Sequence, residues 1–156
     1  MVKLKRFIFT KEKVKELKEE KKSLVIEREE AVIDLSKARA MGDLSENGYY
    51  KAARQTLSTI DRRIRSVDIF LLNARIIRGS RSDIVTLGSK IIVLIEGKER
   101  EFLIVGGEEA NPIEGKISNL SPMGRAFMGK KKGEKVEIKL PIGTKSFELK
   151  DIQKGV

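Results

Sequence analysis

The sequence predicts an α+β protein, a long antiparallel coiled-coil hairpin followed by a small domain of strands and one short helix. Three features predict it. Two stretches carry apolar residues at alternating steps of three and four, the heptad seam of packed helices. A short polar turn with a glycine separates them. Beyond Ile84 the period shortens to that of strands punctuated by glycine.

The first helix opens at Thr10, a residue suited to the N-cap, with Glu12 in the first turn. Its seam runs Val14, Leu17, Leu24, Ala31, Leu35, Ala38, with Lys21 and Arg28 at the two remaining steps. No Pro or Gly interrupts it before Met41. The second seam runs Tyr50, Ala53, Leu57, Ile60, Ile64, Val67, Leu71, Ala74, and helix is expected as far as residue 77. Laid antiparallel, the seams pair Ala38 with Tyr50, Ala31 with Leu57, Leu24 with Ile64 and Val14 with Ala74. The two numbers of every pair share one sum, which centres the turn on Leu44. Each arm of about 30 residues is about 45 Å long at 1.5 Å per residue. Lys21 and Arg28 then face Val67 and Ile60. Their stems pack while their charged heads reach outward, with Asp68 and Asp61 as the nearest partners.

The hairpin takes residues 1–78, a polar linker 79–83, and the second domain 84–156. In that domain SKIIVLIEG and KEREFLIVG read as strands. Ser121-Pro122 opens a short helix as N-cap and first residue, closed near Gly129. KVEIKLP and TKSFELKDI form a hairpin across Pro141–Gly143.

Composition narrows the chemistry. The 156 residues contain no Cys and no His, which removes thiolate and imidazole nucleophiles and the usual zinc ligands. No apolar run approaches the roughly 18 residues of a membrane span, so a cytoplasmic protein is expected. The net charge is +10, of which residues 1–78 carry +7 (19 basic against 12 acidic). A basic surface points to nucleic acid or another polyanion.

Asp43 and Glu46 stand three residues apart just past Gly42, which suits the left-handed residue that ends a helix. They admit two readings. One is a capping box, with Asp43 capping the second helix and Glu46 reaching back. The other is a shared Mg²⁺, which takes one or two carboxylates and keeps several waters. Lys37, Arg39, Lys51 and Arg54 form a basic collar behind the turn, able to hold RNA phosphates.

The run Ala38-Arg39-Ala40-Met41-Gly42-Asp43-Leu44-Ser45-Glu46-Asn47, followed by Tyr50 and Ala52-Ala53-Arg54, resembles the tip signature of the Gre factors (GreA and GreB). Gly115-Lys116-Ile117-Ser118, Ser121-Pro122, Arg125-Ala126, Gly129-Lys130, Gly133-Glu134 and Pro141 with Gly143 are similar to that family's last domain, so the likeness runs from Thr10 to Ile152. Gly48-Tyr49 stand where family members usually have Ala-Glu, and Leu120 is apolar where a polar residue is usual.

The resemblance implies a coiled coil followed by an FKBP-like domain, and a bacterial transcription elongation factor that is not itself an enzyme. Such a factor enters the secondary channel of RNA polymerase and stimulates the polymerase's own Mg-dependent hydrolysis of backtracked RNA. Asp43 and Glu46 would be the catalytic acids, sharing a Mg²⁺ only within the complex, with no cofactor held stably by the free protein. Leu44, Ser45 and Asn47 complete the tip. Lys37, Arg39, Lys51 and Arg54 would contact the channel or the nascent RNA 3′ segment, and Ser121 and Pro122 would dock at the channel rim. A monomer is expected. The alternative within the family is a regulator that occupies the channel without stimulating cleavage.

Overall fold

The computed structural model describes residues 6–42, 47–79 and 82–156. The fold is α+β and divides into two compact units. One is Lys15–Asn73; the other combines the chain up to Val14 with Ala74–Val156. Of the expected linker at 79–83, residues 80 and 81 lie outside the described residues.

The first unit is a helical hairpin. Helix α1 spans Lys11–Ala40 and α2 spans Gly48–Leu72. Within the seams, Leu17, Ala31, Ala38, Ala53 and Val67 are buried, while Leu24, Leu35, Leu57, Ile60 and Ile64 are half-buried. The pairing runs antiparallel in the expected register. The Lys21 Nζ lies 2.6 Å from Asp68 and the Arg28 Nε 2.6 Å from Asp61, the two partners that the seam predicted. These pairs are partly exposed and contribute about 0–1 kcal/mol each.

Both ends of the hairpin differ in detail from the sequence reading. α2 does not continue to residue 77. It stops at Leu72, the Asn73 N–H bonds the Ile69 carbonyl, and Ala74–Ile76 form strand β2. β2 pairs in parallel with β1 (Phe7–Phe9), matching Phe7 to Ala74 and Phe9 to Ile76. Phe7 and Phe9 are buried, and their backbone groups need partners. Strand pairing satisfies both segments, whereas continuing the helix to residue 77 would leave β1 unpaired. Ala74 is therefore a strand residue and not a seam residue. At the other end the N-cap of α2 is Asn47, not Asp43.

The second unit is built on a five-stranded sheet of order β5-β4-β3-β7-β6, with β3 at Ser89–Ile95, β4 at Lys98–Val105, β5 at Lys116–Ser118, β6 at Lys135–Leu140 and β7 at Gly143–Lys154. β4 and β5 are parallel and the other pairs antiparallel. A two-residue turn joins β3 to β4, with Glu96 and Gly97 both at positive φ (51° and 76°), the geometry that matches the twist of a hairpin. The strands alternate inward and outward. Ile91, Val93, Ile104, Val136, Ile138, Phe147 and Leu149 form one core with Phe127 of the short helix α3 (Pro122–Phe127). The Phe127 and Phe147 rings meet edge to face, 5.7 Å between centroids.

One polar contact in this unit is buried. Glu109 is only 5% exposed. Its Oε2 accepts from the Thr10 N–H at 2.7 Å and its Oε1 from the Thr10 hydroxyl at 2.5 Å. The same hydroxyl oxygen accepts from the Lys13 N–H at 3.1 Å, which is the N-cap of α1. A carboxylate 99 residues away thus orients the cap that starts the first helix.

Candidate functional site

The site lies where the two helices approach each other. α1 ends as the Met41 N–H bonds the Ala38 carbonyl, and Gly42 follows at φ 109°, a conformation that only glycine adopts without strain. α2 begins after Asn47, whose Oδ1 accepts from the Tyr50 N–H at 3.1 Å. Its Nδ2 donates to the Ala38 carbonyl oxygen, also at 3.1 Å. One amide therefore satisfies an orphan donor of the second helix and gives the last-turn Ala38 carbonyl of the first a second donor beside Met41. Asp43 and Glu46, which carry the expected catalytic and metal-binding roles, and the tip residues Leu44 and Ser45 lie outside the described residues.

The expected collar residues are all on the surface. Lys37, Arg39, Lys51 and Arg54 are exposed. Lys37 approaches Asp34 at 3.8 Å, too long for a strong pair. Arg39, Lys51 and Arg54 have no ion pair among the described residues, so their charge is open to a polyanion.

The sequence reading named the Lys21–Asp68 and Arg28–Asp61 pairs but missed the second row of charge along the hairpin. Two ladders of facing positions run along the hairpin at heptad intervals, one from the seam positions Lys21, Arg28 and Leu35 of α1 and the other from Glu20, Glu27 and Asp34 beside the seam. On one flank Lys21 pairs with Asp68 and Arg28 with Asp61; the next rung sets Leu35 opposite Arg54, which has no acid to meet. On the other flank Arg63 binds Glu20 with two parallel bonds of 2.6 and 2.9 Å. The next rungs set Glu27 opposite Thr56 and Asp34 opposite Tyr49, neither of them a cation. Both ladders are neutralised toward the helix roots. Toward the tip one flank has cationic excess and the other anionic. The signal was present in the flanking heptad positions, which an apolar seam search does not read.

In the second unit the Ser121 hydroxyl accepts from the Gly124 N–H at 3.0 Å and donates to the Ser118 carbonyl at 2.7 Å, capping α3. Pro122 and Leu120 face solvent beside it. Among the described residues no group of three or more carboxylate side chains converges as a metal site, and no helix is long and apolar enough to cross a membrane.

Two family models cover the chain. Residues 7–76 match the N-terminal domain of transcription elongation factors, and residues 80–154 match the C-terminal domain of GreA/GreB. The chain belongs to the GreA/GreB transcription elongation factor family. It is 39% identical over 150 residues to the transcription elongation factor GreA of Clostridium acetobutylicum, covering 93% of this chain and 95% of that protein. It is 40% identical over 142 residues to GreA of Bacillus licheniformis, covering 88% and 90%. Among solved structures it resembles GreA factor homolog 1 of Thermus thermophilus, with a TM-score of 0.46 and 25% identity over 96% of this chain and 99% of that one. The hairpin and the sheet domain correspond to the two GreA/GreB domains, and the match to each is independent of the other.

Proposed function

We propose that this GreA/GreB family member enters the secondary channel of RNA polymerase and stimulates the polymerase's own hydrolysis of backtracked RNA. The observation that carries the reading is the tip of the hairpin. Asn47 binds the end of α1 to the start of α2, and the segment between them contains Asp43 and Glu46. Arg39, Lys51 and Arg54, which have no ion pair among the described residues, flank it. A narrow rod with acids at its end and cations behind them suits delivery of carboxylates to a phosphodiester.

The chain offers only oxygen donors at this turn, hard ligands that suit Mg²⁺ rather than a softer metal. Asp43 and Glu46 would hold the ion together with carboxylates of the polymerase. When bound, Mg²⁺ supplies charge neutralisation at the phosphate and an acidified water. The acids would position the attacking water, and Arg39 and Arg54 would hold the RNA or the channel wall by charge. Ser121 and Pro122 dock the second domain at the channel rim. With two carboxylates on a turn, the free protein binds Mg²⁺ weakly and cuts no RNA alone. The factor acts as a monomer, in the cytoplasm where the polymerase works.

The test is a stalled, backtracked elongation complex incubated with and without the protein. Wild type shortens the RNA from its 3′ end. Asp43→Asn and Glu46→Gln abolish this while still competing for the channel. Normal cleavage by both variants overturns the role of the acids. Channel competition by wild type without any cleavage identifies a regulator that blocks the channel instead.

A further inference from the structure

The anionic flank of the hairpin has a feature that RNA binding does not use. Tyr49, Ala52, Ala53 and Thr56 of α2 follow the i, i+3, i+4, i+7 spacing of one helix face, and Ala31 and Asp34 of α1 lie across from them. Together they line a depression of about 150 Å³. The floor is made by small residues, so the hollow exists because Ala31, Ala52 and Ala53 do not fill it. Tyr49 is 46% exposed. Among the described residues the Asp34 carboxylate at the rim has only the distant Lys37, at 3.8 Å.

Charge decides what can enter. Glu20, Glu27 and Asp34 are spaced seven residues apart, about 10 Å per step along one flank of α1. Glu20 is neutralised by Arg63. Among the described residues Glu27 accepts only from the Ser23 hydroxyl, at 3.1 Å. The negative charge therefore accumulates beside the depression, which repels phosphate and attracts a cation. A bare metal ion would use more oxygen ligands than Asp34 and Thr56 present. An aromatic face, a carboxylate and an apolar floor one side chain wide suit an arginine. The guanidinium stacks on the ring, its fork binds the carboxylate, and the methylenes cover the alanines.

We propose that Tyr49 and Asp34 form a binding site for an arginine side chain presented by the protein wall of the polymerase channel. The site rests on the channel-binding reading above and adds a contact to it. The two flanks then have separate partners: Arg39 and Arg54 face the polyanion, while Tyr49 and Asp34 hold basic protein. The ladder explains why the site can exist. A cation at position 49 or 56 would complete the rungs with Asp34 and Glu27 and close the hollow.

The experiment measures binding of the full-length protein to core RNA polymerase without nucleic acid, and to a backtracked elongation complex, over a range of salt. Asp34→Asn and Tyr49→Leu are each expected to weaken binding about tenfold on both, equivalent to about 1.4 kcal/mol. Tyr49→Phe keeps the stacking face and binds as wild type, which separates recognition from folding. Asp34→Asn also flattens the salt dependence. The double variant loses less than the product of the single losses, because the two groups hold one side chain. Unchanged binding of both single variants to core polymerase overturns the site, as does a loss seen only with RNA present, which would place a nucleobase against Tyr49. Failure of wild type to bind polymerase at all refutes the channel-binding reading itself and is told apart by that control.

Discussion

Asn47 offers the sharpest test of how the hairpin presents its tip. Its amide makes two bonds with different roles, so two substitutions separate them. Asn47→Ala removes both the acceptor for the Tyr50 N–H and the donor to the Ala38 carbonyl. Loss of a helix N-cap costs about 0.5–2 kcal/mol, and an ordinary hydrogen bond contributes about 0.5–1.5 kcal/mol. The sum is about 1–3.5 kcal/mol, concentrated in the first turn of α2. Asn47→Asp keeps the capping oxygen and adds a negative charge at a helix N-terminus, favourable by about 0.3–1 kcal/mol. It loses the donor and sets a carboxylate against the Ala38 carbonyl, so α2 stays capped while the tie to α1 breaks. Amide hydrogen exchange reads this residue by residue. In Asn47→Ala the Tyr50 and Lys51 amides exchange about 10- to 100-fold faster, at about 1.4 kcal/mol per tenfold. In Asn47→Asp they stay close to wild type, while the Met41 amide, bonded to that same Ala38 carbonyl, exchanges faster. Cleavage stimulation falls in both, because either change loosens the segment that contains Asp43 and Glu46. Equal protection of Tyr50 in wild type and Asn47→Ala would refute the cap. Full cleavage activity in Asn47→Asp would show that the bond between the helices does not govern the tip.

Other consequences follow from contacts in the second unit. Glu109→Ala leaves the Thr10 N–H and hydroxyl buried without their acceptor, a loss of about 2–6 kcal/mol at about 1–3 kcal/mol per orphaned group. Thermal unfolding measures it, with Glu109→Gln expected to recover part because one oxygen remains. Gly124→Ala would drive a methyl group into the Ser118 carbonyl oxygen, so α3 must shift at a cost of about 1–3 kcal/mol. A melting temperature within one degree of wild type would refute that packing. Acid should weaken the sheet unit through three carboxyls held below their ordinary range: Glu134 by the Lys131 N–H and then Lys130, Glu148 by Lys150, and Asp151 by Gln153 and then Lys132. The folded state holds these groups ionised more readily than the unfolded chain does. Their contribution is therefore present above the unfolded carboxylate range and is lost as pH falls through the lower folded values, from about pH 5 downward. Melting temperature against pH checks the direction, and Glu134→Gln should flatten the profile.

The hairpin was legible in the sequence because a coiled coil is a repeating local code. The period of its apolar residues sets which face is buried, and the shared sum of the pairs sets the register, so Lys21–Asp68 and Arg28–Asp61 could be named without coordinates. The strands of the second domain were legible for the same reason, through alternation bounded by glycine. The ends of the hairpin were not. Ala74 continues the seam by spacing, and nothing local marks it as strand; only a parallel partner at Phe7, 67 positions earlier in the chain, decides it. Asp43 and Asn47 are both competent caps by residue type, and the choice between them depends on where the Ala38 carbonyl lies. Glu109 reads as one acid among many until folding brings Thr10 against it from 99 residues away. The sequence alone determined the elements whose partners lie at a fixed period along the chain. Tertiary structure decided every feature in which a polar group needed a partner at no fixed period, because the requirement to satisfy a buried donor or acceptor is met in space and leaves no repeat in the sequence.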